Sequence, residues 1–265
     1  MPRIALGLEY DGSCYRGWQQ QANARSVQDQ VERALGFVAD HAVAVTSAGR
    51  TDAGVHASMQ VVHFDAQIDR GERAWVLGAN TLLERDISAL WARAVPDHFH
   101  ARYSALARSY RYVILNRQTR PALEADRVCW ERQHLNEAWM HEAAQSFIGE
   151  HDFSSLRAAE CQSATPMRRV ETILVARRNE HIMIDVTANA FLHHMVRNIA
   201  GVLLAIGVGD RPISWSREVL EARDRRAGGV TAPPQGLTLV GVRYPPEFAL
   251  PTNPESASIK TVTCP

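Results

Sequence analysis

The residues in this chain best suited to chemistry are an arginine and a carboxylate set between two glycines, in Gly49-Arg50-Thr51-Asp52-Ala53-Gly54-Val55-His56-Ala57. Glycine tolerates backbone angles that other residues avoid, so the pair marks a tight turn. An aspartate on such a turn is presented outward, and an arginine beside it can hold it ionised and oriented. Taken alone, the stretch has two readings. Asp52 is either a reactive carboxylate or half of an ion pair that caps a turn, since structural pairs perturb carboxylates too.

Other chemistries find less support. His141-Glu142-Ala143-Ala144-Gln145 opens like a zinc-protease helix, but Gln145 stands where the second histidine is needed. The adjacent His193 and His194 are expected on different helix faces, which argues against a shared metal. The chain has no G-x-S-x-G elbow, no Walker loop and no dinucleotide fingerprint. What remains is carboxylate chemistry without a cofactor, and Asp52 is the best-placed carboxylate.

Composition bounds the class. The 265 residues suffice for two domains or one large one, and 46% hydrophobic with 22% charged residues is ordinary for a globular protein. No window of about 18 uncharged apolar residues occurs, so no membrane span is expected. The start lacks a long apolar run and meets Glu9 early, unlike a signal peptide. Cys14, Cys129, Cys161 and Cys264 are scattered, which argues against a disulfide framework or zinc site and suits a reducing cytoplasm. Net charge is zero, which by itself speaks against a nucleic-acid binder. Of the 29 basic residues, however, all but Lys260 are arginine, the better residue for bidentate phosphate contacts and base stacking. A GC-rich coding sequence produces the same bias, so composition leaves the partner open.

The apolar pattern sets out the elements that must position Asp52. Ile4, Leu6, Leu8 and Tyr10 alternate with Ala5, Gly7 and Glu9, the period of a half-buried strand. A loop from Asp11 to Gln21 follows. Its Tyr15, Arg16, Trp18 and amides suit base stacking and polar groove contacts, although the two aromatics equally suit a core. Ser26 and Asp29 resemble a capping box, and Val27, Val31, Ala34, Leu35 and Val38 predict a helix over 27–39. Met59 to Asp65 alternates as the strand leaving the turn. Trp75 to Leu83 reads as a second helix, and Ile87 to Ala94 as a strand closed by Pro96. The order is β-α-β-β-α-β, a split βαβ unit.

The second half repeats that order without repeating the letters. Tyr110, Tyr112 and Ile114 share one strand face. Asn136 caps a helix carrying Trp139, Met140, Ala143 and Phe147 on one side and ended by Gly149. Strands are predicted near Val170–Ala176 and Ile182–Thr187, then an apolar helix with Met195, Ile199, Val202, Leu203 and Ile206 that stops at Gly207, then a strand from Leu237 to Val242. The expected architecture is α/β of the α+β kind. An N-terminal half spans 1–105, a second half 106–245, and an aperiodic Pro/Ser/Thr-rich tail, 246–265, is expected to be loosely held.

Six ordered motifs resemble the TruA-type tRNA pseudouridine synthases. They are Tyr10-Asp11-Gly12-Ser13 with Gly17-Trp18-Gln19-Gln20-Gln21, the Gly49–Ala57 stretch, Arg108-Ser109-Tyr110-Arg111-Tyr112, His151-Asp152-Phe153-Ser154-Ser155, the run from Ala190 to Asn198, and Ala232-Pro233-Pro234-Gln235-Gly236-Leu237. They cover all but the tail. The resemblance implies two pseudo-symmetric RRM- or ferredoxin-like halves with mostly antiparallel sheets and a catalytic cleft between them. It also implies isomerisation of uridine to pseudouridine at positions 38, 39 and 40 of the tRNA anticodon stem-loop, by a cytoplasmic homodimer that uses no metal or other cofactor and no membrane.

The resemblance also assigns roles. Asp52 matches the nucleophile, which reaches C1′ or C6 of the uridine or acts beside a glycal route. Tyr110 matches the tyrosine that stacks on the extruded uracil, with Tyr112 expected in the core. Arg197 matches the arginine that pairs with the catalytic carboxylate, a part the turn alone offered to Arg50. Arg50 instead matches an arginine that binds RNA and holds the base out, and Leu237 an apolar wall of the uracil pocket. Arg16 and the arginines at 168–169 are candidate phosphate contacts. A duplicated RRM-like RNA-binding protein without catalysis is the alternative, opposed by the intact set of Asp52, Tyr110 and Arg197.

Overall fold

The computed structural model describes residues 1–68, 70–161 and 163–252. Its first strand, β1 (Arg3–Tyr10), follows the predicted alternation, yet it is buried on both faces, with Ala5 as inaccessible as Ile4 and Leu6. Ser26 caps helix α1 (Val27–Ala39) by accepting from the Asp29 N–H at 3.2 Å, and Val27, Val31, Ala34 and Leu35 line its buried face. A short β2 (Thr46–Ser47) precedes the turn and β3 (His56–Asp65) leaves it. Helix α2 (Glu72–Leu82) starts a turn earlier than its apolar residues predict and buries Trp75 edge-on against Phe64, 5.0 Å away. Strand β4 (Ile87–Val95) follows.

Beyond it come β5 (Ala107–Asn116), β6 (Cys129–Glu131), α3 (Glu137–Ala144), β7 (Gly149–Asp152), β8 (Met167–Arg178), β9 (His181–Ala188), α4 (Met195–Gly207), α5 (Trp215–Ala222) and β10 (Leu237–Arg243). Ten strands and five α-helices are thus present among the described residues, and the pairing is mostly antiparallel. No described helix is long and apolar enough to cross a membrane.

The described residues form two compact units, Met1–Arg108 with those from Thr238 onward, and Ser109–Leu237. In the first, the strand order is β4-β1-β3-β10. β1 is antiparallel to both neighbours, from Arg3↔Asp65 and Arg3↔Val95 to Tyr10↔Ala57 and Tyr10↔Ile87. β10 runs parallel to β3 through Thr238↔His56 and Leu239↔Ala57. The last strand, which the repeat of order gives to the second half, therefore pairs within the first unit. In the second unit β8 is antiparallel to β9 and to β7, and β5 pairs in parallel with β6.

Several local expectations needed correction. Gly149 does not end the third helix. That helix stops at Ala144, a 3-10 turn covers Gln145–Phe147, and Gly149 opens β7. Trp139 lies off the core and is largely exposed, although Asn136 caps its N–H at 3.1 Å as expected. β6, β7 and α5 have no counterpart in the periodicity, being only three, four and eight residues long. His193 and His194 are not on helical faces: they precede α4, His194 at a left-handed φ of 62°, with their rings 4.0 Å apart. Most of the expected loose tail, 253–265, lies outside the described residues, but its beginning is packed. Phe248 is buried with Phe99, Val61, Ala5, Val95 and Ala101, and this cluster covers the second face of β1.

Behind that cluster His63 of β3 is 6% exposed and accepts a hydrogen bond from the Ala101 N–H at its Nδ1, 3.1 Å away. Burial, with Arg3 and His100 nearby, pushes its pKa from 6.5 down to about 4. The folded state favours neutral imidazole, so the stability His63 contributes is complete above pH 6.5 and is lost as the pH falls toward 4. Arg3 and Asp65 act lower, because the guanidinium bond holds that carboxyl below its ordinary 3.8. The urea midpoint should therefore fall between pH 6.5 and 4, and His63→Gln should flatten that limb while leaving the one below pH 3.8.

Candidate active site

The turn that carries Asp52 is fixed by buried polar groups before and after it. Upstream, Glu32 of α1 accepts from the Val45 N–H at 3.0 Å, setting the path of the chain that enters. Gln60, wholly buried on β3, donates its amide to the Gly49 carbonyl at 2.7 Å and lies 3.4 Å from the Tyr10 hydroxyl. That hydroxyl is hydrogen-bonded at 2.8 Å to the side chain of Thr51, itself buried. Burial pushes the Tyr10 pKa up to about 12, against the opposing hydrogen bonds to Thr51 and Gln60, so it stays a neutral donor and acceptor.

The loop from Asp11 to Trp18 closes over the same turn. The Trp18 N–H donates to the Thr51 carbonyl at 3.0 Å, and Gly54 donates to the Tyr15 carbonyl at 3.3 Å. Gly54 has φ 76°, the left-handed angle that the glycine-bounded turn requires. Gly12 is needed for a different reason: a Cβ there would sit 2.0 Å from the Val55 carbonyl oxygen. Its N–H donates to His56 Nδ1 at 3.1 Å, which locks the far end of the turn. Thr51 and Val55 are thereby buried while Asp52 between them remains partly accessible.

The loop's aromatics settle one open reading. Trp18 is 1% and Tyr15 3% exposed, so both are core, and neither offers a face to a base. Trp18 packs against Tyr10 with ring centroids 6.0 Å apart. Tyr15 donates to Asp86 at 2.5 Å, and burial followed by that carboxylate drives its pKa upward. Arg16 and Arg50 are exposed in this first unit. The loop therefore acts through packing: its aromatics hold the backbone against which Thr51 and Gly54 bond.

Tyr110, Arg197 and Leu237 belong to the second unit. Tyr110 on β5 is 8% exposed and meets Phe191 edge-to-face, 5.1 Å away at 85°. Tyr112, two residues on, is core as expected: its hydroxyl donates to the Pro233 carbonyl at 2.8 Å, and burial raises its pKa strongly. That bond holds the turn Pro234–Gly236, which delivers the buried Leu237 to β10. Arg197 lies in the first turn of α4 and donates through Nε to the Ala232 carbonyl at 2.8 Å, while Ala232 donates back to the Arg197 carbonyl at 3.1 Å. Asn198 beside it anchors the helix to Leu156, Arg225 and Thr231.

Of the positioning groups, Glu32 and Gln60 were not singled out by the sequence pattern. For Gln60 the signal was available, since Met59-Gln60-Val61-Val62 sets an amide inside an apolar run. Thr51 sat inside the motif with no role assigned to its hydroxyl.

A family model described as tRNA pseudouridine synthase matches residues 8–104 and 143–245. Among curated proteins, a tRNA pseudouridine synthase A of Pseudomonas aeruginosa is 58% identical over 250 residues, covering 94% of this chain and 88% of that protein. One of Coxiella burnetii is 57% identical over 254 residues, covering 96% and 97%. One of Legionella pneumophila is 53% identical over 251 residues, covering 95% and 96%. A chain from a solved Cbf5-Nop10-Gar1 complex is a faint likeness, with a TM-score of 0.35 and 12% identity over 76% of this chain and 54% of that one, and carries no argument. With a model matching most of the sequence and relatives above half identity end to end, the chain belongs to the tRNA pseudouridine synthases, isomerases that convert uridine to pseudouridine.

Proposed function

We propose that this enzyme isomerises uridines 38, 39 and 40 of the tRNA anticodon stem-loop, with Asp52 as the nucleophile and no cofactor. The observation that carries the reading is the turn itself: buried residues on either side of a partly accessible carboxylate, with every flank tied down by hydrogen bonds. Such a group is placed before substrate arrives, which lowers the entropic cost of attack. The reaction breaks the C1′–N1 bond and joins C1′ to C5 of the same base, so uracil has to be freed, turned and held without escaping.

In this reading Tyr110 stacks on the extruded uracil and Leu237 forms an apolar wall for it. Arg197 takes the part of the arginine that the family pairs with the catalytic carboxylate. Arg50 binds the RNA and helps hold the base out of the stack, and Arg16 contacts phosphate. The cytoplasm is the expected compartment, and a homodimer the expected assembly.

Three measurements test this. Asp52→Asn should abolish pseudouridine formation on an unmodified tRNA bearing uridine 39, by at least about a thousandfold, while tRNA affinity changes little; wild-type enzyme inactive on that tRNA would refute the site assignment. Arg197→Ala should depress turnover more than affinity, and equal losses would reduce it to an RNA contact. Gln60→Met preserves volume but removes the donor to Gly49. It should lower kcat about tenfold at nearly constant KM, because the turn and not the RNA surface is disturbed.

A further inference from the structure

Tyr103, like Phe37, is a largely exposed aromatic of the first unit. It is 76% exposed, although Phe99 and Ala101 just before it are completely buried. Its exposure is built. His100 Nδ1 accepts from the N–H groups of both Arg102 and Tyr103, each at 3.2 Å. The hydroxyl of Ser104 accepts from the His100 N–H at 3.0 Å, and the Ser104 N–H donates to the His100 carbonyl at 2.8 Å. The His100 ring lies 4.3 Å from the Tyr103 ring, only 32° from parallel, and backs onto His63 at 4.7 Å. The Arg102 guanidinium lies 5.6 Å from the tyrosine ring centre.

The turn is also fastened to the catalytic one. Arg108, nearly buried, donates from Nη2 to the Arg102 carbonyl at 2.5 Å and to the Ala48 carbonyl at 2.9 Å, and from Nη1 to the Ala105 carbonyl at 3.1 Å. Ala48 directly precedes Gly49. One planar guanidinium thus fixes the exposed tyrosine relative to the start of the Asp52 turn, a task for which a flexible ammonium is poorly shaped.

We propose that Tyr103, backed by His100 and flanked by Arg102, is a stacking platform for an unpaired nucleobase of the tRNA, adjacent to the uridine under modification; this rests on the tRNA reading above. Every base has a flat π face, and a largely exposed aromatic ring already supported by His100 meets it with little ordering cost in the protein. Arg102 adds a cation over the ring, suited to the phosphate of the same nucleotide once it swings outward. A rigid platform at the rim would hold the RNA in register while one base is withdrawn, which is a positioning role distinct from the chemistry.

The test is Tyr103→Ala, Tyr103→Leu, Tyr103→Phe and Tyr103→Trp, each assayed for turnover and, separately, for equilibrium binding of unmodified tRNA. The alanine and leucine variants should raise both KM and the dissociation constant about tenfold, with kcat much less affected, and phenylalanine and tryptophan should restore affinity. A 2-aminopurine probe in the anticodon loop should lose its protein-dependent quenching in the alanine variant and keep it in the phenylalanine variant. Wild-type affinity in Tyr103→Ala, or loss in Tyr103→Phe equal to that in Tyr103→Ala, overturns the proposal. So does a change of oligomeric state with tRNA binding intact, which would make Tyr103 a protein contact. Binding is read without turnover, so an inactive wild-type enzyme would refute the function while leaving this result decisive.

Discussion

The hydrogen-bonded chain from Gln60 through Tyr10 to Thr51, with the second arm from Gln60 to the Gly49 carbonyl, is the interaction on which the site depends. Its members are buried, and a buried polar group without a partner costs about 1–3 kcal/mol. Each therefore demands the others, and the set has one low-energy arrangement. That arrangement fixes the backbone before and after Asp52 without itself touching the carboxylate. The first unit is in effect a frame that converts burial into the aim of one side chain.

The frame explains why loop and strand must be read together. Trp18 and Tyr15 carry apolar bulk under the loop, and their own backbone groups bond to Thr51 and Gly54. An aromatic–glycine loop beside the Asp52 turn invites a base-stacking interpretation, but packing claims these rings. An exposed aromatic of the first unit lies elsewhere, at Tyr103, where no periodic pattern announces it. The same residue type serves as wedge in one turn and as open surface in another, and only burial separates the two.

Much of the fold was legible because its signals are local. Ser26 and Asn136 cap the helices they precede, and the alternating runs give β1 and β9 to within a residue and β3 and β8 to within three. What escaped was either too short to have a period, as with β6, β7 and α5, or decided by distant partners. Gly149 reads as a helix stop but opens a strand, because the helix has already tightened into a 3-10 turn. The partner of β10 is set by a register some 180 residues away in sequence, which no window can contain. For the site, the motif located Asp52 and the family resemblance named companions in the second unit. The buried amide and hydroxyls that hold the turn carry no motif of their own, only the oddity of polar atoms in apolar company.

The parallel pairing of β10 with β3 has a bearing on biosynthesis. The ribosome completes the first unit's other strands and then the entire second unit before Thr238 and Leu239 emerge to pair beside His56 and Ala57, the residues immediately downstream of the Asp52 turn. Until then that end of β3 lacks its hydrogen-bonded neighbour. A nascent or truncated chain can collapse its helices early, but the strand beside the Asp52 turn gains this neighbour only after the second unit has been made.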